Sequence, residues 1–168
     1  MNIILFGPPG AGKGTQAEKL SKDYNLFSVS TGHLLRNEIN KKTSLGKKIK
    51  DIIDRGSLVS DDIINNLIEN IVSNKVHMNR IIFDGYPRTI NQAKSLEALL
   101  IKFNQKISCV LSLIVDKNSI IKRIKGRQTC SKCGLSFNEF NTTSEKNNHR
   151  CGEQYLKRRS DDHSNTII

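Results

Sequence analysis

Residues 2–15 read NIILFGPPGAGKGT, in which a short apolar stretch runs directly into a glycine-rich turn. The apolar stretch, residues 2–6, predicts a buried β-strand, and residues 13–23 predict a helix. Between a strand and a helix, glycines let the backbone point its N–H groups at phosphate oxygens, and the helix adds its positive end. The sequence therefore predicts a phosphate-binding loop. Its candidate phosphate ligands are Gly10, Gly12, Lys13, Gly14 and Thr15.

One position in this loop departs from the general pattern. Many phosphate loops carry Ser or Thr directly after the lysine, and that hydroxyl ligates Mg²⁺. Here Gly14 follows Lys13, and the first hydroxyl belongs to Thr15. We therefore expect phosphates and water to hold most of the Mg²⁺, with Thr15 helping to bind phosphate and Lys13 lying near the β and γ phosphates.

The rest of the chain alternates between strand and helix patterns, which favours an α/β fold. A parallel sheet with helices on both faces, a three-layer arrangement, follows from this alternation. Besides residues 2–6, strands are predicted at 27–29, 80–84 and 109–115. Besides residues 13–23, helices are predicted at about 31–41, 45–55, 60–74, 89–102 and 117–125.

Length and charge limit the classes of function. The chain has 168 residues, enough for one domain with a small insert, and a net charge of +11. A basic balance can indicate nucleic-acid binding, but the lysines are scattered, and no basic block alternates with aromatic residues. Because no apolar run approaches the roughly 20 residues that span a bilayer and no signal peptide is recognisable, we expect a cytoplasmic protein without nucleic-acid or membrane partners.

A second phosphate-binding segment is predicted after the strand at residues 80–84. Asp84 ends this strand, where a carboxylate beside a phosphate loop can hold Mg²⁺ through water. A helix cap or a turn acid is the structural alternative. Gly85 allows close approach of the backbone, and Arg88 offers a planar guanidinium that can pair with phosphate in a bidentate way.

These segments together resemble the adenylate kinases. The Gly-Lys-Gly-Thr form at residues 12–15 is similar to that of nucleoside monophosphate kinases, and residues 84–89 (DGYPRT) resemble the Asp-Gly-aromatic-Pro-Arg signature. Residues 30–36 (STGHLLR) and 56–59 (GSLV) look like the AMP-binding segments of this family. His33 departs from the family, which usually has an acid there that helps to organise Mg²⁺ waters.

The resemblance implies a role for particular residues. Arg36 and Arg88 would clamp the AMP phosphate, and Gln92 would read the adenine edge. The implied AMP pocket consists of Thr31, Arg36, Leu58, Val59, Gly85, Arg88 and Gln92. The implied catalytic residues, which stabilise charge or organise Mg²⁺, are Lys13, Asp84, Arg88, Arg123, Arg127 and Arg159.

Residues 127–160 interrupt the alternation and are predicted to form an inserted lid, which carries a cysteine cluster. Cys130 and Cys133 are separated by two residues, and His149 and Cys151 follow at a spacing that suggests tetrahedral zinc. Glu153 is the alternative to His149, and a reduced lid without metal is the alternative to zinc. By the resemblance, Arg123 and Arg127, before the lid or at its start, would contact ATP.

The resemblance also implies domain bounds and an activity. Residues 1–126 would form the core, with an AMP-binding segment at about 30–59; residues 161–168 would begin a return helix whose continuation the family has and this chain lacks. The implied activity is reversible, Mg²⁺-dependent conversion of ATP and AMP into two ADP by a monomer. Three alternatives stay open: another nucleoside monophosphate kinase, a nucleotide- and zinc-binding module without turnover, and a nucleic-acid-binding zinc module.

Overall fold

A computed structural model describes residues 1–55, 59–140 and 149–158 of the chain. The chain divides into two compact units. The first contains residues 1–6 and the described part of 16–112, and the second contains residues 7–15 and the described residues from 113 onward. Among the described residues, no helix is both long and apolar enough to cross a membrane.

The first unit is built on a four-stranded parallel sheet in the order β2-β3-β1-β4. Its strands are β1 (Asn2–Phe6), β2 (Phe27–Ser30), β3 (Ile81–Asp84) and β4 (Ile107–Ser112). In the register of this sheet, Asp84 lies beside Leu5 of β1 and Ser30 of β2, so these positions share the carboxyl edge. Ligands of open parallel sheets bind at this edge, where the loops leave the strands.

Helices connect the strands of this sheet. They are α1 (Lys13–Tyr24), α2 (Thr31–Asn40), α3 (Ser44–Asp54), α4 (Asp61–Val72) and α5 (Ile90–Lys102). The hydroxyl groups of Thr43 and Thr89 accept hydrogen bonds from the backbone N–H groups of Gly46 and Gln92, and they thereby cap α3 and α5. The local sequence thus fixes where these two helices begin.

The core of the first unit packs α4 and α5 against β2 and β3. Alternation along β3 places Ile81 and Phe83 in one apolar cluster, and both side chains are fully buried. The other buried members of the cluster are Val29, Ile68, Val72, Tyr86, Leu96 and Leu100. This packing fixes the loop after β3 and the start of α5, which carry the predicted AMP-binding residues.

The second unit contains the glycine-rich loop, a helix and a small antiparallel sheet. The helix α6 (Lys117–Lys125) begins after Asp116, whose carboxylate accepts a hydrogen bond from the backbone N–H of Ser119. That hydrogen bond lowers the pKa of Asp116. The three-stranded sheet has the order β6-β5-β7. Its strands are β5 (Arg127–Cys130), β6 (Ser136–Asn138) and β7 (Leu156–Lys157).

The predicted α/β class, with a parallel sheet and flanking helices, is confirmed. The prediction for the fourth strand was wrong in its bounds, because β4 covers Ile107–Ser112 rather than residues 109–115. The apolar run continues to Val115, but the chain must leave the sheet before Asp116 to start α6. Ile114, beyond the end of the strand, is 94% exposed, and Val110, within β4, is itself 59% exposed. The apolar pattern therefore did not distinguish a buried strand from an exposed one.

Candidate active site and zinc cluster

The glycine-rich loop, residues 7–15, contains three glycines with positive φ: Gly7, Gly10 and Gly12. Gly10 has φ +79°, a backbone conformation that residues other than glycine rarely adopt. A Cβ on Gly10 would also lie 2.9 Å from Cγ1 of Ile124, so the loop backbone runs directly against α6. Glycine is therefore required at this position for both the turn and the close contact.

Two cationic side chains contact the carbonyl groups of this loop. The Lys13 ammonium donates hydrogen bonds to the carbonyl oxygens of Gly7 (2.9 Å) and Pro8 (3.0 Å). The Arg123 guanidinium on α6 donates to the carbonyl oxygen of Ala11 (3.1 Å). The structure thus brings Lys13 and Arg123 together at one loop, although they are 110 positions apart in the sequence.

A second cluster of polar groups lies at the carboxyl edge of the parallel sheet. Arg88 Nε donates to the carbonyl oxygen of Gly85 (2.8 Å), and the hydroxyl of Thr31 donates to the same oxygen (3.1 Å). Arg88 Nη2 lies 3.5 Å from Thr31 Oγ1. Gly85 has φ +72°, and a Cβ there would lie 3.2 Å from Arg88 Nη2. The three predicted residues therefore contact one another directly.

The remaining predicted AMP-binding residues divide into described and undescribed ones. Arg36 folds back over Gly32, where a Cβ would lie 3.2 Å from Arg36 Nη1. Val59 is buried. Leu58 lies outside the described residues.

Gln92 is 4% exposed and makes two side-chain hydrogen bonds that the sequence did not predict. Its Oε1 accepts from the backbone N–H of Arg88 (2.7 Å), and its Nε2 donates to Oδ1 of Asp61 (2.6 Å). Its backbone carbonyl lies 3.3 Å from the hydroxyl of Tyr86, which donates to Asn65 Oδ1 (2.7 Å). Asp61 and Asn65 lie on α4, far from Gln92 in sequence, so no local pattern could have identified them.

Asp84 is the last residue of β3 and is half-buried. A carboxylate oxygen at the carboxyl edge of the sheet is the kind of ligand that Mg²⁺ and its waters prefer. The position and the chemistry of Asp84 therefore fit the predicted role in a Mg²⁺ site.

The predicted zinc ligands come together in the second unit. The ligand atoms of Cys130, Cys133, His149 and Cys151 all lie within 4.8 Å of one another. Two sulfur ligands of tetrahedral zinc, each about 2.3 Å from the metal, lie roughly 3.8 Å apart. Three thiols and one imidazole form a complete donor set for a structural zinc ion, so the residues fit the metal. Glu153, the alternative ligand, is exposed and is not a member of this cluster.

Two tight turns present these ligands. The backbone N–H groups of Gly134 and Gly152 donate to the carbonyl oxygens of Cys130 (2.9 Å) and His149 (3.2 Å). Each glycine has a positive φ, +77° for Gly134 and +83° for Gly152. The ring of Phe137 packs against His149, with centroids 4.7 Å apart, and thereby helps to orient the imidazole.

The thiols of the cluster differ in their acidity. Burial opposes ionisation of Cys130, but hydrogen bonds from the backbone of Cys133, the side chain of His149 and the backbone of Lys132 outweigh it. Together they lower the pKa of Cys130 to about 6. Burial, with hydrogen bonding to Cys133 and Cys130, raises the pKa of Cys151. A thiolate at Cys130 is thus available at neutral pH to bind a cation.

Two of the predicted lid arginines are described. Arg127 begins β5 directly after Gly126, and Arg123 lies on the last turn of α6. Asn138 ties the lid sheet to this turn, because its amide donates to the carbonyl oxygen of Arg123 (2.9 Å). Arg159 lies outside the described residues. Its neighbour Arg158 pairs with the carboxylate of Glu139, at 2.9 and 3.1 Å from the two oxygens.

Comparison with known proteins gives one consistent result. The family model "Adenylate kinase" matches residues 5–167. An adenylate kinase of Pelagibacter ubique (strain HTCC1062) is 49% identical over all of this chain and 79% of its own length. An adenylate kinase of Zymomonas mobilis is 39% identical over 99% of this chain and 76% of its own, and one of Archaeoglobus fulgidus is 38% identical over 99% and 77%. The chain therefore belongs to the adenylate kinase family.

Proposed function

We propose that this chain transfers the terminal phosphoryl group of ATP to AMP, reversibly and with Mg²⁺, and gives two molecules of ADP. The observation that carries the proposal is the contact between Arg88, Gly85 and Thr31 at the end of β3. This cluster offers a second anion site in a chain that already has a phosphate loop. A kinase that acts on a nucleoside monophosphate needs both.

The phosphate loop is the proposed site for the donor. Gly10, Gly12, Gly14 and Thr15 would present backbone N–H groups or a hydroxyl to the phosphates of ATP. The Lys13 ammonium, which lies at the carbonyl oxygens of Gly7 and Pro8, would bind a phosphate oxygen. Arg123, at the Ala11 carbonyl, would add charge on the same side. Arg127 and Arg159 complete the proposed set of arginines for ATP.

The cluster at the end of β3 is the proposed site for the acceptor. The guanidinium groups of Arg88 and Arg36 would bind the phosphate of AMP, since planar guanidinium suits two phosphate oxygens at once. Gly85 and Gly32 leave room for these two groups. Thr31, Leu58, Val59 and Gln92 would surround the rest of the nucleotide.

Phosphoryl transfer depends on position and on charge, so no covalent intermediate with the protein is required. Mg²⁺ bound with ATP neutralises phosphate charge, and Asp84 would orient its waters. The arginines would stabilise the negative charge of the transferred group. Exclusion of water from these residues prevents simple hydrolysis of ATP.

Zinc has a structural role in this proposal. Cys130, Cys133, His149 and Cys151 would fill all four positions of a tetrahedral ion, which leaves none for a substrate. The metal would hold the segment from residue 127 to residue 160, the proposed lid, in one conformation. Residues 1–126 are the proposed core. Residues 161–168, which the sequence predicts to begin a return helix, lie outside the described residues.

We also propose that the protein acts in the cytoplasm as a monomer. A monomer suffices because both proposed nucleotide sites consist of residues of one chain. Free nucleotides are its proposed partners. Nucleic acid is not a proposed partner, since the lysines are scattered through the sequence rather than gathered in a basic stripe. Light scattering of the purified protein, with and without nucleotides, measures the oligomeric state directly.

The decisive experiment measures ADP formed from ATP and AMP with Mg²⁺. Lys13→Met and Arg88→Ala should each lower turnover by roughly a hundredfold or more, because each removes a charge from a phosphate site. Arg80→Ala is the matched control: Arg80 precedes β3 at the opposite end and binds Asn25. Wild-type rates in either test variant would exclude the proposal. A screen of CMP, UMP and GMP as acceptors separates this activity from that of other nucleoside monophosphate kinases.

A further inference from the structure

The side chain of Gln92 lies between two groups that have opposite hydrogen-bonding capacities. One is the backbone N–H of Arg88, 2.7 Å from one end of the Gln92 amide. The other is the carboxylate of Asp61, 2.6 Å from the other end. Asp61 also accepts from the hydroxyl of Thr89 (3.3 Å), and thereby joins the start of α4 to the start of α5.

Hydrogen-bonding chemistry alone determines how this amide is oriented. A backbone N–H can only donate, so the Gln92 atom that faces Arg88 must be the oxygen. An ionised carboxylate can only accept, so the atom that faces Asp61 must be the nitrogen. Reversal of the amide would place its oxygen against the carboxylate and its nitrogen against an N–H. Both contacts would then be lost, and the charged contact is the stronger of the two.

The oriented amide keeps one N–H donor and one oxygen lone pair for a ligand. Adenine presents an acceptor, N1, beside a donor, the 6-amino group, and guanine presents a donor, N1–H, beside an acceptor, O6. An amide with fixed polarity can pair with one of these edges and not with the other. We propose that Asp61 is a positioning residue that makes Gln92 select adenine over guanine. This inference rests on the proposed function, because it takes Gln92 as the residue that meets the base of the acceptor.

The rest of the Gln92 neighbourhood supports a fixed position. The backbone N–H of Gln92 donates to the hydroxyl of Thr89 (3.1 Å), and its carbonyl faces the buried hydroxyl of Tyr86. The backbone of Gln92 is therefore held on both sides, and rotation of the terminal amide is the freedom that remains. The carboxylate of Asp61 and the backbone N–H of Arg88 together restrict that rotation.

The test compares Asp61→Asn with the matched control Asp62→Asn. Asp62 is also in the first turn of α4 and carries the same charge, but it is exposed. An asparagine at position 61 can accept from Gln92 or donate to it, so the reversed amide then loses only its contact with the N–H of Arg88 and becomes more accessible. We expect the ratio of kcat/KM for AMP to that for GMP to fall by roughly tenfold in Asp61→Asn and to stay unchanged in Asp62→Asn. The change should be in KM for the acceptor, with kcat and KM for ATP unaffected.

A merely structural role for Asp61 predicts a different result. It would lower the melting temperature and reduce activity with both acceptors equally, so an unchanged AMP-to-GMP ratio in folded Asp61→Asn overturns the inference. If the wild-type protein phosphorylates no AMP, the proposed function fails, and the inference fails with it. If the wild-type protein phosphorylates AMP but the AMP-to-GMP ratio is the same in Asp61→Asn as in wild type, the inference alone fails.

A second measurement needs no substitution. In the wild-type protein, NMR should show slow hydrogen exchange of the Gln92 side-chain amide compared with that of Gln16, which is exposed. Addition of AMP should shift the Gln92 amide signals, and an equal concentration of GMP should shift them less. Rapid exchange of the Gln92 amide, or equal shifts with both nucleotides, would contradict a fixed orientation.

Discussion

At the scale of single residues, the hydroxyl of Tyr86 links stability to pH. Tyr86 is 2% exposed, and its pKa is raised from 10.0 to about 12 by burial and by the charge of Asp61. Above pH 10 the unfolded chain loses this proton before the folded one does, so the unfolded state binds fewer protons. Tyr86 therefore makes its full contribution to the free energy of unfolding below pH 10, and this contribution is lost as the pH rises through 12.

Replacement of this residue tests the linkage. Tyr86→Phe should make the free energy of unfolding less steeply dependent on pH between 10 and 12. At pH 7 the same change should destabilise the protein by about 1 kcal/mol, because Asn65 loses a hydrogen-bond donor. Urea unfolding at several pH values measures both effects. Tyr24→Phe, at a side chain that is 60% exposed, is the control; an identical pH slope in Tyr86→Phe and wild type would refute the argument.

Single residues also show which parts of the site a sequence can predict. Lys13 and Arg88 lie in short motifs, where neighbouring glycines and a preceding strand indicate a phosphate-binding site. Asp61 carries no such signal, because its partner is 31 positions away and the contact depends on how α4 packs against α5. Local spacing therefore predicts the residues that are proposed to bind a phosphate, but not Asp61, which is proposed to position Gln92.

At the scale of elements, a buried polar network holds β1, β3 and β4 together at the amino end of the sheet. The side chain of Asn2 is 0% exposed; its oxygen accepts from the N–H of Ile81 (3.1 Å), and its nitrogen donates to Gln105 Oε1 and to the carbonyl of Lys106 (3.2 Å each). Gln105 in turn donates to the carbonyl of Val72 on α4 (2.8 Å). One side chain thus replaces ladder hydrogen bonds between strands.

Loss of this network should be costly. Asn2→Ala would leave the buried N–H of Ile81 without its acceptor, so we expect a destabilisation of about 2–3 kcal/mol. The midpoint of urea unfolding measures it. Asn70→Ala, at an exposed position of α4, should change stability by less than about 0.5 kcal/mol. Equal midpoints for the two variants would show that the network contributes nothing to stability.

Elements differ in how well their patterns predict them. The helices and the first three strands agree with prediction to within about two residues at each end, because caps such as Thr89 and Asp116 and short apolar runs mark their ends. For β4, the apolar run from Cys109 to Val115 continues past the end of the strand at Ser112. Hydrophobicity indicates burial only when another element covers the strand, and that information is not local.

At the scale of the whole molecule, the two units depend on different sources of stability. The first contains a continuous apolar core, in which Ile81, Phe83 and Ile68 are fully buried. In the lid segment, Cys130 is the one buried apolar residue among those that the structure describes from 127 to 158. The sequence predicted this difference, because the lid is polar and carries its cysteines at metal-ligand spacing. A metal is thus the expected substitute for an apolar core.

Removal of zinc should therefore affect one part of the chain. After chelation, hydrogen exchange should lose protection at the N–H groups of Cys130 and Ser131, which donate to Leu135 and Tyr155. The N–H groups of β3 should keep theirs, since the apolar core does not depend on the metal. Cys133→Ser should reproduce the effect, and Cys109→Ser, outside the cluster, should not. Unchanged protection at Cys130 and Ser131 in protein shown to be free of zinc would mean that hydrogen bonds alone hold the lid, which is the metal-free alternative.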